Sequence, residues 1–311
     1  MKQNNKIYDS IIIGAGPAGL SAAIYLKRAN VDVLVIEKGA FGGKVNYTAV
    51  IDNYLGAEKS FGPDLAFKFY NHAIENDVEI ISDDIINVTK KDQLFVIQSN
   101  DEEYLAKTII VASGTTDKKL DLVNANKFEH HGISYCAVCD GPLYKNKDVA
   151  VIGGGNSALE EALYLANITS KVYLIHRRNE FRGDKKVIEQ IENNPKIILK
   201  FRSPQAVVCG DFTIEELIGD KSLEQIKLND GEVINVSALF PYIGQIPNTQ
   251  FLNFKNLCNE NGYIIVNNNM DTNVSGLFAA GDVTNQKLKQ VVTATSDGAI
   301  AATSVIEYLR G

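Results

Sequence analysis

Four cysteines in 311 residues, at positions 136, 139, 209 and 258, are too few to staple a chain of this length as a secreted disulfide framework. A reducing, cytoplasmic setting is expected, where a Cys-x-x-Cys pair is catalytic or metal-binding rather than a structural brace. Positive charge is not in excess either. With 31 Lys and Arg against 38 Asp and Glu, the net charge of −7 leaves no basic field for gripping a phosphate backbone, and no nucleic-acid partner is expected. Long apolar runs are almost lacking. One stretch, Ser10 to Leu26, holds 17 uncharged residues, but Gly14, Gly16, Pro17 and Gly19 interrupt it in the manner of a tight turn after a strand. No membrane span and no processed leader is expected. Low-complexity segments and short-period repeats are also missing. At roughly 100 to 200 residues per domain, the length suggests two packed units.

Two segments share one grammar. Residues 8–39 read as a buried strand, a glycine turn, a helix to about Ala29 and a second strand ending at Glu37. Residues 147–178 repeat the order, with Gly153-Gly154-Gly155 as the turn and "KVYLIH" as the second strand. Gly19 precedes Glu37 by 18 residues, and Ala158 precedes His176 by 18, so the modules are in register. The expected fold is α/β, with two Rossmann-like dinucleotide-binding domains. Small-residue strand ends at 106–115 and 235–248 are the expected crossings. They leave one discontinuous domain, 1–114 with 246–311, around an inserted domain, 115–245.

In Gly14-Ala15-Gly16-Pro17-Ala18-Gly19 the first glycine permits the turn, the second admits a pyrophosphate and the third lets helix and strand pack closely. The following helix N-terminus faces the phosphates with unpaired N–H groups, and Glu37 is placed for a ribose diol. The second module, with Gly153 and Gly155, carries His176 in place of the acid, followed by Arg177, Arg178 and Arg182. Guanidinium groups there pair with a 2′-phosphate, which points to NADPH, the alternative being a solvated basic turn. Two nicotinamides would have nothing to exchange, so the first module is expected to hold FAD. "GLFAAGDV" supports this, since Asp282 closes a strand ahead of a loop and a helix starting near Gln290. The alternative for Asp282 is a turn cap.

Cys136 and Cys139, with Asp140 beside them, read as a dithiol or disulfide that a flavin reduces, Asp140 serving the proton exchange. A zinc site drawing on His130 and His131 remains the alternative, although four ligands at regular spacing are missing and no metal is expected.

Taken in order, the first fingerprint, "CAVCDG", "GGGNSALEEA", "HRRNEFR" and "GLFAAGDV" resemble the low-molecular-weight NADPH-dependent thioredoxin reductases over about residues 7 to 310. The resemblance implies an FAD- and NADPH-dependent oxidoreductase that reduces thioredoxin, a homodimer whose two domains rotate against each other. It implies that Cys139 faces the flavin, Cys136 attacks the protein substrate and Asp140 acts as acid and base. It adds Lys38, Gly43, Lys44, Lys289 and Val291 to the FAD contacts, and Asn156 and Ser157 to the NADPH contacts. The family usually has glutamine at Lys44 and arginine at Lys289, and a proline-glycine-glutamate turn that is missing after "ASGTTDKKL". An altered flavin environment is expected rather than an altered reaction. Two further readings remain, a ferredoxin- or oxygen-linked dithiol oxidoreductase and a flavin redox sensor without turnover.

Overall fold

The computed structural model describes residues 2–122, 124–178, 180–201 and 213–311. Cys209 lies outside the described residues. The chain divides into two compact units, Met1–Asn46 with Ile51–Thr116 and Ile246–Gly311, and Tyr47–Val50 with Asp117–Gln245.

In the first unit β1 (Lys2–Ile13), α1 (Pro17–Arg28) and β2 (Val33–Glu37) start a parallel sheet, followed by α2 (Gly62–Glu75) and β3 (Glu79–Ser82). A meander of β4 (Ile85–Lys91), β5 (Leu94–Ser99) and β6 (Glu102–Val111) brings the chain back beside β1. The sheet order is β3-β2-β1-β6-β5-β4. Ile11 and Ile12 are both fully buried although they point to opposite faces, because β1 is central and covered on both sides.

β7 (Thr115–Asp117) leads out of this unit. In the second unit α3 (Ala125–Phe128) and α4 (Ala137–Asp140) precede β8 (Asp148–Ile152), α5 (Asn156–Ile168), β9 (Lys171–His176), α6 (Lys185–Glu192) and β10 (Ile197–Phe201). An antiparallel ribbon, β11 (Ile214–Ile218), β12 (Gln225–Leu228) and β13 (Val233–Asn235), then leads to β14 (Ala238–Pro241), which completes a parallel sheet of order β10-β9-β8-β14. β15 (Gln245–Pro247) pairs with β7, so the two crossings run side by side.

Back in the first unit, β16 (Leu277–Ala279) adds to β6 and the chain ends in α7 (Val291–Arg310). A glycine makes the α1–α7 contact close: a Cβ on Gly298 would lie 2.1 Å from the Ala18 carbonyl oxygen, and the Ser21 hydroxyl donates to the Thr295 carbonyl at 2.7 Å. This fixes the position of α7 against α1. Strand register does the rest. Ile13 pairs with Ile36 and Ile152 with Ile175, which sets Gly14 beside Glu37 and Gly153 beside His176 at the carboxyl ends of their sheets.

Candidate functional site

Each module ties its turn to its second strand with the same bond. The Gly14 N–H donates to the Ile36 carbonyl at 2.8 Å, and the Gly153 N–H to the Ile175 carbonyl at 3.0 Å. In the first turn, a Cβ on Gly14 would lie 2.3 Å from the Ala112 carbonyl oxygen and one on Gly19 1.9 Å from that of Gly14, so neither position tolerates a side chain. A Cβ on Gly16 would meet nothing within 4 Å. The turn is thus tight on its inner side and open at Gly16, the shape a pyrophosphate needs.

Other residues close around that opening. Gly42 donates to the Ala15 carbonyl at 2.8 Å, and Gly43 approaches Gly16 so that a Cβ on Gly43 would lie 3.2 Å from its Cα. Glu37 accepts from the Ala15 and Gly39 amides, both at 2.7 Å, while exposed Lys38 pairs with Asp84 at 2.9 Å. Pro17 occupies the first turn of α1, which holds no acidic residue, and Ala18 packs under Gly281. Asp282 therefore sits beside the fingerprint helix, in a short 3-10 turn that follows β16 rather than at the end of that strand. Burial raises its carboxyl, and Lys289 and Lys44 oppose that rise. Lys289 donates to the carbonyls of Asp282 at 3.0 Å and Thr284 at 2.5 Å, with its own ammonium disfavoured by burial. Asp297, on α7, accepts from Gly281 at 3.2 Å and is likewise raised by burial. Gln290 caps α7, receiving Asn53 at 3.1 Å, and Val291 packs against the cluster of Val45, Ile51, Leu65 and Ala66. An open glycine turn, a helix start without acids and two lysines are a donor set that fits an anionic dinucleotide.

The second turn is built differently. A Cβ on Gly154 would lie 2.4 Å from the His176 ring, so this glycine admits the imidazole into the turn. His176 is buried, stacks on Phe181 with centroids 5.6 Å apart, and meets the Glu180 carbonyl at 3.2 Å. Burial lowers its pKa, opposed by the Glu180 carbonyl and aided by Arg182, Arg178 and Arg177, so the ring is neutral and its Nε2 carries the proton toward Glu180. Arg182 donates through its amide to the Gly154 carbonyl at 2.7 Å, the counterpart of the Gly42 bond. The three arginine side chains are exposed, and no carboxylate among the described residues pairs with them. Gly155 faces open space, Asn156 is bonded to Asp184 through both side-chain atoms, and Ser157 is exposed. The open turn with its free guanidiniums suits a nucleotide carrying an extra phosphate.

Cys136 and Cys139 form a disulfide in the same unit, with sulfurs 2.09 Å apart, so neither is a thiolate in this state. Cys139 is exposed and Cys136 half-buried. The Cys139 amide donates to the Cys136 sulfur at 3.0 Å. Ser134 braces the loop by accepting from the Cys136 amide at 3.1 Å, and Tyr135 anchors it by donating to Glu129 at 3.0 Å and accepting from Leu120 at 3.1 Å. Asp140, half-buried, donates through its amide to the Cys136 carbonyl at 3.1 Å. The loop rests on α5, where a Cβ on Gly141 would lie 3.0 Å from Leu165. Cys258 belongs to the first unit as a free thiol whose pKa burial raises. Among the described residues no three His, Cys, Asp or Glu side chains are grouped to hold a metal, and no helix is long and apolar enough to cross a membrane.

Sequence reasoning gave Gly154 no role beyond the turn and passed over Asp297, Tyr242 and Glu161. Glu161 had a signal: it interrupts the buried stripe of Ala158, Ala162 and Leu165 on α5. Burial pushes its carboxyl from 4.5 up to about 8, the Ala49 amide opposing and Glu160 adding to the rise. Between those values the folded state keeps a proton that the unfolded chain has lost, so the contribution of Glu161 to stability is fully present below 4.5 and falls as pH rises toward about 8. Thermal unfolding of the protein and of Glu161→Gln from pH 5 to 9 should show the parent losing about 2 to 5 kcal/mol more than the variant. Equal losses would mean that Glu161 ionises normally.

The pattern of the pyridine nucleotide-disulphide oxidoreductases matches residues 8–298. The chain is 41% identical over 309 residues to a thioredoxin reductase of Ureaplasma parvum, covering 98% of each protein. It is 38% identical over 310 residues to that of Bacillus subtilis, covering 98% of this chain and 95% of the relative. The crystal structure of Lactococcus lactis thioredoxin reductase superposes with a TM-score of 0.91 at 34% identity, covering 97% of this chain and 99% of that one.

Proposed function

The chain belongs to the pyridine nucleotide-disulphide oxidoreductase family, and on that premise we propose that its two glycine turns and the Cys136–Cys139 disulfide form the electron path of a thioredoxin reductase. The enzyme uses FAD and NADPH, and the net reaction consumes NADPH, a proton and a thioredoxin disulfide to give NADP⁺ and the thioredoxin dithiol. The observation that carries the reading is the disulfide packed on the helix that leaves the second glycine turn.

The first unit, nominally 1–114 and 246–311, is the FAD domain, and 115–245 is the NADPH domain. Gly14, Gly16, Pro17, Ala18 and Gly19 admit the FAD pyrophosphate, with Gly43 as the facing wall. Glu37 holds the ribose side of the turn, and Lys38, Lys44, Asp282, Lys289, Gln290 and Val291 surround the remainder. Gly153, Gly155, Asn156 and Ser157 receive the NADPH pyrophosphate, His176 forms the floor, and Arg177, Arg178 and Arg182 take the 2′-phosphate. Bound in the first unit, FAD would supply the two-electron relay between NADPH and the disulfide.

The chain's own chemistry follows from the two sulfurs. A Cys136 thiolate keeps the Cys139 amide as donor, which stabilises it. It attacks the thioredoxin disulfide, one thioredoxin sulfur leaves as a thiolate, and a mixed disulfide forms. Cys139 then attacks Cys136, the second thioredoxin sulfur leaves, and the Cys136–Cys139 bond is restored. Asp140, next to Cys139, supplies a proton to a departing thiolate.

A homodimer is supported by large apolar side chains exposed on the first unit, among them Leu55 and Phe67. A cytoplasmic setting suits a cysteine pair that must cycle. The arginines around the second turn disfavour a ferredoxin- or oxygen-linked enzyme, and the intact donor turn disfavours a sensor without turnover. Anaerobic titration of the FAD-loaded protein with NADPH and then NADH, with thioredoxin added last, tests the whole assignment. NADPH should bleach the flavin more readily than NADH, thioredoxin should restore it catalytically, and the species should sediment as a dimer. A flavin that neither nucleotide bleaches would remove the donor site.

A further inference from the structure

Glu161 is a buried acid that this exchange leaves unused. It is 5% exposed, and its Oε2 has no hydrogen-bond partner among the described residues. Among the described residues Oε1 receives only the Ala49 amide, at 3.4 Å. Placing an unpaired carboxyl in the apolar face of a helix is costly, so packing alone does not account for it. Its location does. α5 supports the disulfide loop, and Ala137, between the two cysteines, is fully buried in the cluster that also holds Ala158, Ala162 and Leu165. Tyr242, which follows β14, packs on that same cluster, and its phenol is pushed well up by burial and by the nearby Glu161 carboxyl, the Ala137 backbone opposing the rise. A carboxyl and a phenol thus lie beneath the dipeptide that joins the sulfurs.

Resting on the reductase reading above, we propose that Glu161, through Tyr242 and the Ala137 backbone, is a positioning residue that sets the balance between the disulfide and dithiol forms of Cys136–Cys139. Reduction takes up two electrons and two protons and leaves two thiols, one of which passes its proton to solvent to become the attacking thiolate. The disulfide is neutral and the thiolate is not. A neutral Glu161 leaves the thiolate undisturbed, whereas an ionised one repels it and favours the disulfide. The groups facing Glu161 are Glu160 and Tyr164 of its own helix, Tyr242, and the amide of Ala49; Asp117 acts on the same Tyr242 phenol, and Asp140 of α4 reaches Tyr144. None of these is a cation, so nothing named there holds the carboxylate charged at neutral pH.

The test equilibrates the FAD-loaded protein with buffers of reduced and oxidised dithiothreitol from pH 6 to 10 and counts free thiols by alkylation and mass. Below pH 7 the parent and Glu161→Gln should hold the same dithiol fraction. At pH 9 the parent should hold roughly 10-fold less dithiol relative to disulfide than the variant, the repulsion having appeared only there. Glu161→Asp keeps a carboxyl and should keep the break. Tyr242→Phe removes the phenol hydroxyl that feels both Glu161 and the Ala137 backbone and should weaken it, which serves if Glu161→Gln does not fold. A break that persists in Glu161→Gln, or a displacement of equal size at every pH, overturns the proposal. Because dithiothreitol needs neither nucleotide nor thioredoxin, failure here is distinct from failure of NADPH to reduce the pair at pH 7, which would strike the reductase reading instead.

Discussion

Replacing Cys136 with serine is expected to lower thioredoxin reduction by about 10⁴-fold or more, because a hydroxyl supplies no comparable nucleophile near neutral pH. NADPH should still bleach the flavin of this variant, since the nucleotide turn at Gly153–Gly155 and its arginines do not depend on the sulfur. Cys139→Ser should be equally inactive toward catalytic turnover, yet differ in kind. With Cys136 still present beside the amide of residue 139, it should trap thioredoxin as a mixed disulfide that no neighbouring thiol resolves. Cys136→Ser should trap none. Non-reducing electrophoresis after mixing with oxidised thioredoxin reads the difference. Steady turnover by either variant would sink the dithiol mechanism, and a trap formed by Cys136→Ser instead would exchange the roles of the two sulfurs.

Arg177→Ala together with Arg178→Ala is expected to raise the KM for NADPH about 100-fold while moving that for NADH only slightly. Each charge-assisted bond to a phosphate contributes about 1.5 to 3 kcal/mol, and exposure of both side chains places the pair toward the lower end. NADH has no 2′-phosphate and so no partner to lose. His176 does not compensate, since its neutral ring is already engaged by Glu180 and Phe181. Parallel loss for both nucleotides would mean that the arginines hold the fold of the turn rather than read the phosphate. Steady-state kinetics with the two cofactors decides between these.

The two modules were legible for a local reason. Strand, turn, helix and strand lie within about thirty residues, glycines mark the turns, and apolar runs mark buried strands. The common spacing of 18 has a structural basis in the Ile13–Ile36 and Ile152–Ile175 registers. The flanks of each turn were less legible. Nothing in "HRR" says that the histidine turns inward while the arginines stay exposed; that follows from Gly154 leaving room for the ring. Lys289 was read as a flavin contact, and its amine is engaged by the Asp282 and Thr284 carbonyls through the path of a loop that propensity does not specify.

The sequence by itself determined the two dinucleotide modules, the acid in one and the arginines in the other, and a cysteine pair with an acid beside it, because each is a pattern among near neighbours in the chain. Tertiary structure alone decided that Gly43 closes on Gly16, that Gly281 lies against Ala18, and that Tyr242 and the helix carrying Glu161 pack with Ala137 of the loop joining the sulfurs. These meetings join residues separated by tens to hundreds of positions, and they depend on strand order, register and helix packing, which no local pattern encodes.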